Sequence, residues 1–446
     1  MPDARRIARA YYTIAGVYTL SASLIWGINP LFLLRVGGLT LMQVFLANAV
    51  FTGSMAVFEV PTGVIADTAG RRLSFLLSVS VLFAGTAAYV LVPRLGGGFG
   101  AFCAVSVVLG LGYTFYSGAV EAWVVDALRA TGDEGPVDRV MARGASISSV
   151  MMLVGTVAGG LLGGISLSLP YIIRCVLLAG AFVIALVQMH DVGFVTRELR
   201  LAEAPAEMRR IARDGIRFGW NVPHARLAIL AGAMPAIFLE WGYHAWQPYF
   251  LQLLGTTMVW VTGTIAAAVA LAMAGCNAVV ERLTAYCGRR TTILIGAAAV
   301  YSVASVGVGL APAFPLAVLL YLISMMGAGI FQPVRQGYLH LAVASEQRAT
   351  VLSLASLVAS LGSMAGQAGL GWLSARESLR SGYVAGGLAT ALALVFLVAM
   401  RRLGGVPDRI VGKAGRYSAC SPLSLPEGVS VGATRDVALT LQGPPQ

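Results

Sequence analysis

Residues 59–72 read EVPTGVIADTAGRR, a segment that places Glu59, Pro61, Gly63, Asp67, Gly70, Arg71 and Arg72 within a few turns of chain. An uncharged apolar run leads into it from residue 40, and another leaves it over 73–93. A helix emerging from lipid would put Asp67 at the lipid–water boundary. Gly70 would then free a tight turn that aims the two guanidinium groups back toward the helices. The segment therefore reads as the turn between two membrane-crossing helices. The rest of the chain has the same character. Residues 10–34, 95–120, 144–173, 349–375 and 381–400 carry no Asp, Glu, Lys or Arg, and 291–334 is an uncharged stretch long enough for two crossings. At about 20 apolar residues per crossing, the chain holds material for about twelve.

Of 446 residues, 57% are apolar and 11% charged, against about 25% charged in soluble proteins, which excludes a soluble globular fold. The net charge of +11 follows topology and gives no reason to expect a nucleic-acid partner. With the amino terminus in the cytoplasm and twelve crossings, 26 of the 31 basic residues fall inside and only Arg35, Arg94, Arg174, Arg376 and Arg380 outside. That asymmetry puts both termini in the cytoplasm of a multi-pass plasma (inner) membrane protein. Lys413, in the tail, is the sole lysine, so a buried amine is unavailable for coupling or Schiff-base chemistry. Cys103, Cys175, Cys276, Cys287 and Cys420 form no C-x-x-C and read as small buried thiols, with no metal site indicated. No cofactor is expected. The bilayer is the surrounding partner, and a monomer is expected.

Helices are expected at 11–34, 40–66, 73–94, 99–125, 141–165, 168–190, 227–253, 258–284, 291–311, 315–340, 349–373 and 381–401, numbered 1 to 12 below. They divide the chain into a six-helix half (1–190), a central connection (191–226), a second six-helix half (227–401) and a tail (402–446) expected to be disordered. The connection carries Arg197, Arg200, Arg209, Arg210, Arg213 and Arg217 with Glu198, Glu203, Glu207 and Asp214. It reads equally as an amphipathic helix on the anionic inner leaflet or as a solvated linker. The halves look like copies. Gly70-Arg71-Arg72 recurs as Gly288-Arg289-Arg290, and Gly155 and Gly159 recur as Gly362 and Gly366. Matching order and similar offsets indicate a duplicated unit with parallel halves.

The 63–72 segment resembles the loop between helices 2 and 3 of the major facilitator superfamily, G-x-x-x-D-[RK]-x-G-[RK]-[RK], through Gly63, Asp67, Gly70, Arg71 and Arg72, with Thr68 replacing a basic residue. Residues 155–164, GTVAGGLLGG, resemble the family's antiporter signature through Gly155, Gly159, Gly163 and Gly164, with Gly160 where proline is usual. Small residues four apart also allow any two membrane helices to pack closely. EAWVVDAL (121–128) and RATVLSL (348–354) add further likeness. The resemblance implies an all-α membrane protein of twelve helices in two pseudo-symmetric six-helix bundles. It also implies a cytoplasmic gate in which Asp67 meets the start of helix 11 and Arg71 or Arg72 reaches Asp126.

Ionisable groups inside a span are costly and seldom idle. Glu240 is central in helix 7, with His244 and Gln247 on the same face. The stripe could bind a cation or exchange a proton, or could be an internal pair that holds helices together. Trp241, Trp246 and Tyr249 are candidates to line the site or simply to pack. Glu59 lies about 12 Å up helix 2 from Asp67. In helix 4, Tyr113, Ser117 and Glu121 form a second polar stripe. Glu59 and Glu121 follow Glu240 as proton sites, with inner-gate structure as the alternative. In helix 10, Arg335 is read as a structural ion pair with Glu281 ahead of a substrate-binding arginine, and Gln332 and Gln336 flank it.

With no G-x-x-x-x-G-K-[ST] motif, the reading is a secondary transporter working by alternating access on a small-molecule substrate, with protons as coupling ion. Efflux is implied by the resemblance; import or uniport of a metabolite is the alternative. An intramembrane enzyme would need clustered ligands or a Ser–His pair, which His190, His224, His244 and His340 do not supply, and a transport-dead sensor would need a signalling domain.

Overall fold

Helix starts and stops follow local chemistry. Helix 2 begins at a capping box in which Thr40 and Gln43 exchange side-chain and backbone hydrogen bonds, and helix 7 ends on Gly255 with φ at 63°. The computed structural model describes residues 3–131, 137–194, 204–255 and 258–410. All twelve expected segments in it are helical. Helix 1 is Ala4–Trp26 with Asn29–Arg35, helix 2 Leu41–Ala69, helix 3 Arg71–Arg94, helix 4 Phe99–Tyr116 with Ala119–Ala130, helix 5 Val137–Ile165, and helix 6 Leu169–Gln188. Helix 7 is Pro223–Leu254, helix 8 Trp260–Tyr286, helix 9 Arg290–Leu310, helix 10 Phe314–Ala342, helix 11 Arg348–Arg376, and helix 12 Leu379–Ala391 with Ala393–Leu403. Ten of these are long and apolar enough to cross a membrane, and helix 1, bent by 46° ahead of Pro30, makes an eleventh. Helix 8 holds the twelfth position, although only Trp260–Met273 of it is counted as an apolar helix.

Polar and apolar residues are arranged as lipid demands. Ser74 and Ser78 of helix 3 donate to the Phe115 and Gly112 carbonyls of helix 4, and Ser302 of helix 9 donates to the Gly387 carbonyl of helix 12. Such short hydroxyls join helices where no hydrophobic drive exists. Ile165, Val176, Val303 and Val395 are instead largely exposed, which only a hydrocarbon surrounding makes favourable. One buried cluster is drawn mainly from helices 1–6, centred on Phe32, Phe75, Trp123 and Tyr171. Two others come mainly from helices 7–12, around Trp241 and Tyr383 and around Leu294 and Tyr338.

The sequence repeat has a spatial counterpart. A Cβ added at Gly155 would stand 2.9 Å from the Leu20 carbonyl of helix 1, and one at Gly159 would run into the Leu24 carbonyl. In the second half Gly362 faces the Ala233 carbonyl of helix 7, and a Cβ at Gly366 would run into that of Ile237. Part of the connection forms a helix, Ala204–Gly215, extended by a π-turn over Ile216–Trp220. Gly215 and Gly219 of this segment lie against Leu354 of helix 11. The segment thus docks on protein as well as carrying exposed Arg209, Arg210, Arg213 and Arg217. Arg197, Glu198, Arg200 and Glu203 lie outside the described residues, as does the tail expected to be disordered (402–446) from residue 411 onward. Its first residues, 402–410, are instead ordered, with Asp408 buried and the Ile410 N–H donating to the Gly288 carbonyl.

Candidate functional site

At the arginine-rich end, the turn after helix 2 is built as its sequence requires. Gly70 has φ at 106°, where a side chain would be strained, and the space a Cβ would occupy is taken by the Asp191 carboxylate. Helix 3 has no side-chain cap of its own. Asp191, beyond helix 6, supplies one by accepting the Arg72 N–H at 2.9 Å. Arg72 Nη2 donates to the Leu186 carbonyl at 2.6 Å, and Arg71 forms an ion pair with Asp67 at 2.6 Å. The expected Arg71 or Arg72 pairing with Asp126 is not formed among the described residues. Loop and helix 4 are joined instead through the Trp123 indole, which donates to the His190 carbonyl at 2.7 Å. Partial burial pushes the Asp191 carboxyl above the usual carboxylate range, while the Arg72 N–H and the charges of Arg72 and Arg71 pull it back.

The second half repeats this device. Asp408, fully buried, accepts the Thr291 N–H at 2.8 Å at the same position of helix 9, and Arg290 bonds the Pro407 carbonyl at 3.1 Å. Neither aspartate was among the sequence candidates. The signal for both was an aspartate after the last helix of each half, the two 217 positions apart and so within one residue of the 218 offset of the Gly-Arg-Arg repeats.

Mid-membrane, the expected groups are placed less simply. Glu240 is half-buried, and the His244 Nδ1–H donates to its backbone carbonyl at 2.7 Å, which leaves Nε2 as the acceptor. The ring's Nδ1 is thus committed to the helix backbone and not to the Glu240 carboxylate. Gln247 is fully buried, donating to the His244 carbonyl and accepting from the Trp246 indole at 3.2 Å each in the carboxamide orientation that satisfies both ends. Trp241, Trp246 and Tyr249 are buried packing groups, with Trp241 set against Phe45, Phe238 and Tyr383. The helix 4 stripe is interrupted. Gly118, with φ at 71°, breaks the helix, so Tyr113, Ser117 and Glu121 do not share one continuous face. Ser117 and Glu59 are exposed and Glu121 is half-buried.

Arg335 is buried and bonds Gln332 Oε1 at 3.1 Å. Glu281 is exposed and forms no ion pair with it. A Cβ on Gly232 of helix 7 would stand 2.5 Å from Arg335 Nη1, so the guanidinium lies on bare helix backbone. Gln336 is exposed.

The helix 5 glycines have two jobs. Gly155 and Gly159 meet helix 1, whereas a Cβ on Gly160 would stand 2.5 Å from the Gly263 Cα of helix 8, and Gly163 faces Val259 and Ile28. Gly164 lies next to Trp260, 4.0 Å from its backbone nitrogen. Helix 2 meets helix 11 likewise, with Phe45 against Gly371 and Gln367 donating to Thr52 at 3.2 Å. These contacts between the two sets of six helices lie between mid-depth and the arginine-poor end. Toward the arginine-rich end, Gly63 has nothing within 4 Å of its Cβ position, and Val57, Ser149, Val150, Ser356 and Leu357 on helices 2, 5 and 11 are exposed. Among the described residues no helix packs closely on Gly63, and the two sets diverge there. No group of three or more potential metal ligands occurs among the described residues.

A family model described as Major Facilitator Superfamily matches residues 260–425. An uncharacterized MFS-type transporter, YxaM, of Bacillus subtilis (strain 168) is 22% identical over 213 residues, covering 48% of this chain and 51% of that protein. The chain thus aligns with about half the length of this curated relative. Among solved structures, the nucleoside transporter NupG superposes with a TM-score of 0.70 at 11% identity, over 89% of this chain and 99% of that one. A POT family transporter in complex with a thioalcohol-conjugated peptide gives 0.68 at 10% identity, over 89% and 95%. A bacterial homolog of the human lysosomal transporter Spinster, in an inward-facing and occupied conformation, gives 0.67 at 15% identity, over 90% and 97%. At these identities the structural likeness is one of fold. The 63–72 motif, the helix order and the match over 260–425 all make the chain similar to the Major Facilitator Superfamily.

Proposed function

We propose that the protein is a secondary transporter that moves a small molecule across the inner membrane by alternating access, with both termini cytoplasmic. The observation that carries this reading is the asymmetry of the central seam. Helices 5 and 8, and 2 and 11, meet toward the arginine-poor end and diverge toward the arginine-rich end. If the arginine-rich end is cytoplasmic, as the positive-inside rule requires, this is an inward-open state. Rocking of two six-helix halves about the central contacts would expose the other side. Proton coupling rests on Glu240, a half-buried carboxylate in the middle of helix 7, with His244 modulating it from the next turn. Glu59 and Glu121 are second candidates. The glycine face of helix 5 supports efflux by an antiporting monomer, and import or uniport is the alternative direction.

The test is exchange in proteoliposomes without nucleotide. Wild type should show counterflow of a bound solute and accumulate it under a pH gradient. Glu240→Gln should keep counterflow and lose gradient-driven accumulation. Absence of counterflow for any compound that binds would overturn the transport reading, and full accumulation by the variant would move coupling to Glu59 or Glu121.

A further inference from the structure

Arg174 lies on the second turn of helix 6 and is 1% exposed, one of the largest fully buried side chains of the molecule. A charge so placed needs partners, because isolated burial of an ion is among the most costly arrangements in lipid or protein. It has one. Nη2 donates to the Tyr113 hydroxyl at 3.1 Å, while among the described residues Nε and Nη1 have no hydrogen-bond partner and no carboxylate pairs with the group. Its surroundings are tyrosines. The guanidinium carbon is 5.6 Å from the Tyr113 ring centroid, and the Tyr18 and Tyr171 hydroxyls lie within its electrostatic reach. The Tyr18 hydroxyl, beside Ser78, also lacks a partner in hydrogen-bonding geometry. Tyr113 is half-buried and set edge-on to Phe51 of helix 2, so it stands between Arg174 and the seam between the halves.

We propose that Arg174, with the Tyr113 and Tyr18 hydroxyls, is the anion-binding subsite of the transported solute, which is an organic carboxylate with a planar apolar body. Every unmet donor here points to one missing component. A carboxylate would take two guanidinium N–H groups as a bidentate pair and the hydroxyls as further donors, and it would neutralise the buried charge. A planar body would rest against the half-buried Tyr113 and Phe51 rings. Arg71, Arg72, Arg335 and Arg348 each leave only Nε buried without a partner, whereas Arg174 leaves both Nε and Nη1. A structural arginine is expected to have its terminal nitrogens filled, as those of Arg72 are in part. The proposal rests on the transport reading for the route of entry but not for the binding itself.

The experiment is thermal unfolding and equilibrium binding of the purified full chain with benzoate, its neutral isostere benzamide, and phenyl phosphate. Benzoate should raise the unfolding temperature of wild type and benzamide should not. Tyr113→Phe, which removes one hydroxyl, should weaken benzoate binding about tenfold. Arg174→Met should abolish binding while leaving the unfolding temperature of the unliganded protein unchanged or higher, since it removes an uncompensated charge. Equal effects of benzoate and benzamide, no protection by either anion, or unaltered binding in both variants would each overturn the proposal. A large fall in unliganded stability of Arg174→Met with normal benzoate binding by Tyr113→Phe would make Arg174 structural and overturn it as well. Arg174-dependent binding of benzoate without its exchange across liposomes would leave the subsite standing and remove the transport reading.

Discussion

Gly70 and Asp191 show how far a single residue's choice depends on a distant partner. Gly70 is needed twice over, for a φ of 106° and for the space its missing Cβ leaves to the Asp191 carboxylate. Gly70→Ala should therefore cost about 1–3 kcal/mol of stability. Asp191→Ala removes the cap of helix 3 and should cost about 1 kcal/mol. Asp191→Asn keeps the acceptor oxygen. Because burial raises the Asp191 carboxyl, the folded state holds that proton more tightly than the unfolded chain. Stability should then fall as pH rises through the interval just above the ordinary carboxylate range and be flat beyond it. Thermal unfolding between pH 4 and 7 should show this slope in wild type and lose it in Asp191→Asn, with no loss of stability at pH 7.

At the level of elements, helix 5 separates folding from conformational change. Gly155 and Gly159 press on helix 1 within one set of six helices, while Gly160 meets Gly263 across the seam. In the proposed alternating-access cycle a side chain at Gly159 meets backbone in every state, but one at Gly160 meets helix 8 only when the arginine-poor end is closed. Gly159→Leu should lower stability by about 1–3 kcal/mol or prevent folding. Gly160→Leu should leave unfolding nearly unchanged and shift the population toward the state open at the arginine-poor end. Spin-label distances across that end of helices 5 and 8 would report it. Unchanged distances in Gly160→Leu would show that the contact does not gate. The glycine spacing was legible in the sequence, whereas the assignment of its members to two helices was not, because Gly159 and Gly160 are adjacent and only packing says which way each faces.

For the whole molecule, the asymmetric seam makes a prediction about access. In a cysteine-free background, Glu59→Cys is exposed and should react with a membrane-impermeant maleimide from the cytoplasmic side, while Phe45→Cys, fully buried between helices 2 and 11, should be protected. A transported anion such as benzoate, if it favours closure at the cytoplasmic end, should slow labelling at position 59. The reverse pattern, with position 45 reactive from outside and 59 protected, would show that the resting state is open to the other side.

Much of this protein was determined by its sequence alone. Hydropathy, the placement of arginines and the Gly-Arg-Arg repeat are local properties, and lipid admits so few backbone solutions that they suffice for helix positions, the duplication and the turn at 63–72. Even Arg174 was visible as a charge inside an expected span, although counting it with the outer loop residues concealed its burial. Tertiary structure decided the partners. Arg72 bonds Asp191 across 119 positions, Arg335 rests on Gly232 with Glu281 turned away, and Gly118 breaks the polar stripe of helix 4. The physical reason is that membrane helices are specified one at a time by transfer from water to lipid, while contacts between them rest on shape and on donors seeking acceptors, which no periodicity along the chain encodes.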